Sequence, residues 1–177
     1  ALTDVTFRNN SGPSYGGGGL SFQCNGASNT YRRLTVTGNS GNQGGGIYAT
    51  PSGRTLEILD SVIAGNSGSS GGGMFIYSGD LRLTNSIVSG NRAGWGGGIL
   101  NQFAHATLTN ATVAGNASHG LSSGWSGAGV ARSDIRNSVF WGNGSGAINN
   151  YGPYDVMVAS YDLLEGGCPG GVTCDHV

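Results

Sequence analysis

The chain has 177 residues, 36 of them glycine, a formal net charge of −1, only 10% charged residues and no lysine. That balance gives nucleic acid or an anionic membrane surface nothing to hold, and no apolar run approaches the roughly 18 residues needed to cross a bilayer. Low charge together with 37% hydrophobic residues in short, regular bursts excludes disorder and predicts an ordered, glycine-rich fold.

The chain opens Ala-Leu-Thr, with neither a methionine nor a signal-peptide pattern, as a processed or truncated product would. Leu2 starts one apolar burst, and a second closes in FRNN at Asn10; GGGL at 17–20 then leads into LSFQC, where Cys24 shares the parity of Leu20 and Phe22 and reads as a buried small apolar residue. The same order returns along the chain. The asparagine recurs as Asn39 in VTGN, Asn66 in IAGN, Asn91 in VSGN, Asn116 in VAGN and Asn143 in FWGN, at separations of 29, 27, 25, 25 and 27 residues. The glycine triplet recurs as GGGI at 44–47, GGGM at 71–74 and GGGI at 96–99, then degrades to GAGV at 127–130 and SGAI at 145–148. A third marker, in LEILDS, LRLTNS, ATLTNA and SDIRNS, brings Asp60, Asn85, Asn110 and Asn137 into register.

Three period-two bursts per unit, separated by turn residues and without helical periodicity, predict a strand–turn coil repeated along an axis. The fold class is therefore all-β: a right-handed parallel β-helix, or β-solenoid, of about seven coils of 25–29 residues. Residues 1–152 make six β-helix repeats, and 153–177 the last coil and a C-terminal cysteine hairpin of the same domain. Three inward ladders follow: Phe7, Val36, Ile63, Val88, Val113 and Phe140; Ile58, Leu83, Leu108 and Ile135; Leu20, Ile47, Met74, Ile99, Val130 and Ile148. Glycine supplies the backbone angles and close approach that a tight corner requires. The asparagines Asn10, Asn39, Asn66, Asn91, Asn116 and Asn143 are expected to form an internal amide ladder. In CPGGVTC the Pro-Gly-Gly turn brings Cys168 and Cys174 together as an expected disulfide.

The FxxN units, literal in Phe7 to Asn10 and Phe140 to Asn143 with Val or Ile replacing Phe elsewhere, and their partner GGGI/L, resemble the FxxN and GGA[ILV] repeats of chlamydial-type polymorphic outer membrane proteins and related secreted bacterial parallel β-helix proteins. The resemblance covers about six coils, and YDLLEGGCPGGVTC is similar to the cysteine-containing tail of bacterial members of that broad group. It implies a passenger displayed outside the cell, often an adhesin. The sequence departs from the pattern in carrying glycine where that group often has alanine, and it shows no autotransporter barrel.

Chemistry is sparse. Lyases on this fold need clustered carboxylates and a basic residue, yet the nine acids are spread over most coils. Glu57 and Arg82 read as an outward cross-strand ion pair, and no metal site or cofactor is predicted. GLSSG at 120–124 matches a nucleophile-elbow pattern around Ser122, with His119 beside it, but it falls in a glycine-serine loop of a helix-free chain and is discounted. His105 and His176 read as solvated residues without partners. Tyr15, Trp95 and Trp125 each precede a glycine triplet and are candidates for stacking on a glycan, although their scatter over coils one, four and five argues against one platform and favours packing within the loops. Thr6, Thr35, Val62, Ile87, Thr112 and Val139 form an outward, flat row whose threonines are too irregular for an ice-binding array. Tyr48, Phe75 and Leu100 follow inward residues and are expected to stack as an exposed apolar stripe that contacts a partner. Leu2 aligns with Ile58 and Leu83, so uncapped coil edges suggest either a fragment of a longer solenoid or self-association, head to tail into a fibre or lateral. The reading is a non-catalytic structural or adhesive β-solenoid at the bacterial cell surface or in the extracellular space, self-assembling or binding host or matrix glycans or proteins, with no nucleic acid and no membrane insertion. The alternative is a carbohydrate-active β-helix, either a polysaccharide lyase or a glycan-binding module.

Overall fold

In each repeat, apolar residues alternate for three to five positions before an asparagine, aspartate or glycine intervenes, which suits a short strand buried on one side. The computed structural model describes residues 1–12, 16–23, 28–124 and 130–177, and among these only strands and turns form. The first coils run through β1 (Leu2–Thr3), β2 (Thr6–Arg8), β3 (Leu20–Gln23), β4 (Asn29–Arg32), β5 (Thr35–Thr37), β6 (Ile47–Thr50), β7 (Thr55–Leu59) and β8 (Val62–Ala64). They continue through β9 (Met74–Thr84), β10 (Ile87–Ser89), β11 (Ile99–Thr109), β12 (Thr112–Ala114), β13 (Leu121–Ser123), β14 (Arg132–Arg136) and β15 (Val139–Trp141). The chain closes with β16 (Ile148–Asn150), β17 (Val156–Ser160), β18 (Leu163–Leu164) and β19 (Thr173–Asp175).

Every strand pairs in parallel with the equivalent strand one coil away, giving a β-solenoid of about six turns. A seven-stranded sheet, β2-β5-β8-β10-β12-β15-β18, forms one side, and a twelve-stranded sheet wraps the rest. The register follows the repeat: Phe7, Val36, Ile63, Val88, Val113 and Phe140 stack in line and point inward, continued by Leu164. Leu2, Tyr31, Ile58, Leu83, Leu108 and Ile135 form the second inward row.

The third row needs one correction. Leu121 pairs with Ile99 and Ile148, so it takes the place the repeat pattern gives to Val130, which is 53% exposed. The fifth coil carries its inward residue directly after Gly120, and GAGV is additional sequence that mimics the marker. As a result the continuous strand that crosses a corner in β9 and β11 is split in this coil into β13 and β14.

The corner after the second inward row is turned by one residue per coil in the left-handed region: Asp4, Arg33, Asp60, Asn85, Asn110, Asn137, Tyr161 and His176, with φ between 51° and 57°. Asparagine and aspartate tolerate this conformation better than other side-chain-bearing residues. The glycine triplet divides its work. Its first glycine has positive φ (59° at Gly71, 56° at Gly96), whereas the others yield to neighbours. A Cβ on Gly73 would stand 2.6 Å from the Gly98 carbonyl oxygen and 2.9 Å from the Asn91 amide nitrogen.

Candidate functional site

The corner between the seven-stranded sheet and the glycine triplets is built on the asparagines. Asn91 Oδ1 accepts hydrogen bonds from Asn66 N (2.9 Å) and Asn66 Nδ2 (3.0 Å). Asn91 Nδ2 donates back to the Ile63 carbonyl and forward to Asn116 Oδ1, both at 3.0 Å. The same pattern runs from Asn10 through Asn39 to Asn143. Asn39, Asn66, Asn91, Asn116 and Asn143 are buried. Each amide from Asn39 to Asn116 has both donors and a doubly used acceptor engaged, the condition for a buried polar group to stabilise rather than destabilise.

Outside that ladder the residues following each asparagine form a trough of about 880 Å³, bordered by Ser11, Ser40, Ser67, Asn42 and Arg92 among others. Ser11, Ser40, Ser67 and Arg92 bridge from coil to coil, so their side chains line up along the axis at a strand spacing of about 4.8 Å. Among the described residues, Arg92 is the one charged side chain lining the trough. Trp95, one residue beyond the trough-lining Gly94, is 45% exposed and packs its ring 5.4 Å from that of Tyr151, itself 42% exposed. His119 meets the same Tyr151 ring edge-on at 6.3 Å. Burial pushes the His119 imidazole below its ordinary range. Trough and rings together offer hydroxyls, amides and two aromatic faces with little charge. That chemistry suits a neutral polyhydroxylated chain.

Trp95 thus lies in an aromatic patch that the scatter over coils argues against, because Tyr151 and His119, in the following two coils, converge on it. Tyr151 escapes the sequence pattern because it follows its inward strand instead of preceding a triplet; scanning aromatics at both ends of that strand would find it. Tyr15, Trp125 and Cys24 lie outside the described residues.

The expected apolar stripe is corrected. Tyr48, Phe75 and Leu100 do stack in register, with the Tyr48 and Phe75 rings parallel at 5.6 Å, but Phe75 is 3% and Leu100 1% exposed. The Phe75 and Leu100 side chains are enclosed within the chain itself while Tyr48 is half-buried, and Tyr77 stacks against Phe75. The exposed apolar row is on the seven-stranded sheet instead, at Val62, Ile87 and Leu163.

Three further expectations change. Glu57 and Arg82 are in register but make no ion pair with each other; Glu57 Oε2 accepts from Thr30 Oγ1 at 2.9 Å. His105 is not partnerless: its Nε2 lies 2.9 Å from Asp134 Oδ2 and its Nδ1 3.9 Å from Asp80 Oδ1. Arg132 grips Asp134 through two bonds of 2.9 Å. Burial works to raise the Asp134 carboxyl, but the hydrogen bonds from Arg132 and His105 outweigh it and hold it below the usual carboxylate range. His176 contacts Asp175 at 2.7 Å and stacks on Tyr161. Ser122 sits inside β13, paired with Leu100 and Asn149 in the ladder and fully buried, where no substrate can reach its hydroxyl.

Cys168 and Cys174 are joined by a disulfide with Cα atoms 6.0 Å apart, fastening the turn before β19. Among the described residues, no group of three or more His, Cys, Asp or Glu side chains is arranged to hold a metal ion. No family model, curated protein or solved structure matches the chain.

Proposed function

We propose that the protein is a non-catalytic, extracellular adhesive β-solenoid that binds a neutral glycan along the serine-lined trough, with Trp95 and Tyr151 stacking on sugar rings at its end. The observation that carries this reading is the pair of exposed aromatic rings, with Trp95 next in the chain to Gly94 of a trough of axially repeated hydroxyls. A polysaccharide is itself an axial repeat, so a solenoid presents equivalent hydrogen-bonding groups to successive sugars, and ring faces supply apolar contact that hydroxyls cannot. A binding role is favoured over hydrolysis or lyase chemistry because, among the described residues, Arg92 is the one titratable group lining the trough. The acids nearest to a catalytic arrangement, Asp80 and Asp134, are engaged with His105 and Arg132 on a different side of the coil.

The test is calorimetric titration with a soluble β-glucan, a mannan and an arabinoxylan. At least one should bind, and Trp95→Ala and Tyr151→Ala should each weaken it about tenfold or more, as loss of an aromatic anchor does. Binding indifferent to both substitutions overturns the site. New reducing ends or unsaturated products on prolonged incubation overturn the non-catalytic reading.

A further inference from the structure

The trough has a repeat of its own. Ser11, Ser40, Ser67 and Arg92 bridge from coil to coil along one side of it. Asn42, Ser69 and Gly94 line the other side, and their successors Gln43, Ser70 and Trp95 bridge in the same way. Between the two, close backbone approach keeps the floor free of side chains. A Cβ on Gly41 would stand 2.6 Å from Gly18 N, and one on Gly68 would stand 2.8 Å from the Gly41 carbonyl oxygen. Polar groups of the same kind therefore recur along a bare floor at the strand spacing of about 4.8 Å.

The extent of the trough follows from the length of its turns. Between the ladder asparagine and the inward strand lie seven residues at 40–46, 67–73 and 92–98, but four at 117–120 and 144–147. The shorter turns end the trough after the fourth coil, and Ala117 is the one residue of the fifth coil that lines it. Trp95 stands at that end, with its ring against Tyr151 of the sixth coil. The serines are interchangeable under a shift of one coil, so they alone would let a ligand slide. Arg92 breaks that equivalence: it is exposed at the fourth coil and offers the five N–H donors of a guanidinium where the coils before it offer a hydroxyl.

Resting on the glycan reading, we propose that the trough takes an extended, 1,4-diequatorially linked chain of the cellulose or mannan type. The chain lies along the solenoid axis with one sugar per coil over the four coils from Ser11 to Arg92, its register fixed at one end by Arg92 and Trp95. A chain of this linkage is a flat ribbon with hydroxyls along both edges, and it advances by close to one strand spacing per sugar, so it stays in step with both sides of the trough. Chains linked β-1,3 or α-1,4 coil, and they leave a straight trough after one or two sugars.

The experiment titrates the full chain with oligosaccharides of two to six sugars in four series: cello-, manno-, β-1,3-gluco- and α-1,4-gluco-oligosaccharides. At least one of the first two should gain roughly threefold to tenfold in affinity per added sugar up to four, the worth of one more net hydrogen bond, and level off by six. The two coiled series should gain nothing beyond the disaccharide. Counted from the Arg92 end, a disaccharide covers the fourth and third coils, so Ser40→Tyr, at an exposed position of the second coil, should abolish the gain from the third and fourth sugars. Arg92→Gln should instead weaken every length by a similar factor. An equal gain in a coiled series overturns the proposal without any variant, as does a gain that survives Ser40→Tyr in protein with the wild-type melting temperature; both leave the glycan reading standing. Absence of binding by all four series and by the long polymers overturns that reading and the proposal together.

Discussion

Two polar rows run inside this solenoid, and they behave oppositely. At the asparagine corner each amide meets an identical amide one coil on, so donors and acceptors match by repetition, and the row from Asn39 to Asn143 closes on itself. In the row of Asn101, Ser123 and Asn150 the side chains differ from coil to coil, and an oxygen on each is left without a partner. The difference lies in periodicity. The asparagine corner keeps one residue type at one place in every coil, whereas the second row crosses the fifth coil, where β13 and β14 replace a continuous strand. A buried polar row stabilises a solenoid when its residue repeats, and leaves oxygens unpaired when it does not.

Substitutions can break or sharpen that contrast. The largest effect is expected from Asn91→Ala. It strips acceptors from Asn66 N and Nδ2 and a donor from the Ile63 carbonyl, and should cost about 3 kcal/mol or more, lowering the melting temperature by roughly 6–12 °C in a chain of this size. Next is Gly73→Ala, whose Cβ would press on the Gly98 carbonyl and the Asn91 amide; thermal unfolding should show a loss of about 1–3 kcal/mol, as overpacking does.

Asp162→Asn acts through pH. Asp162 Oδ1 accepts from Ser138 N at 2.6 Å while Oδ2 is buried without a partner. Burial raises its carboxyl above the ordinary range despite hydrogen bonds from the Ser138 and Ser160 backbone. A raised folded pKa means the contribution is fully present below the unfolded pKa and is lost as pH rises through the folded value. The wild type should therefore lose stability across the pH range just above that of an ordinary carboxylate, and the Asp162→Asn variant should flatten that segment of a melting temperature–pH curve. A variant curve that keeps the segment would discard the assignment.

Ser122→Ala removes a fully buried hydroxyl that has no partner, so it should be neutral or stabilise by up to about 1 kcal/mol, opposite in sign to Asn91→Ala although both delete a buried polar group. Arg82→Ala, exposed and without an ion pair among the described residues, should change stability by less than about 0.5 kcal/mol. A loss comparable to that of Asn91→Ala would reverse the ranking of ladder over surface charge.

The coil, its inward rows and the asparagine ladder are legible in the sequence because each depends on a residue type recurring at a fixed separation. The correction at Leu121 and Val130 has the same origin: a glycine-rich stretch carries the marker, but the strand forms where a leucine can point inward next to Ile99 and Ile148. Alternation predicts that Phe75 and Leu100 leave the core side, but it says nothing about what lies over the sheet, and both are covered. His105 gains Asp80 and Asp134 because neighbours across a parallel sheet lie a full coil apart in sequence. The Trp95 and Tyr151 pair is invisible for the same reason, since 56 residues separate them and no shared motif links them.

Native-state hydrogen exchange tests the contrast between the two rows most directly. The backbone amides of Asn39, Asn66, Asn91 and Asn116, each bonded to the side-chain oxygen of the next asparagine, should exchange only through global unfolding. Those of Gly124 and Ala131, bonded at the two edges of the break in the fifth coil, should exchange at least tenfold faster, through local opening of about 1.4 kcal/mol or more below the global value. Equal protection at all six amides, or faster exchange along the asparagine row, would contradict the claim that repetition of one residue is what closes the solenoid's interior.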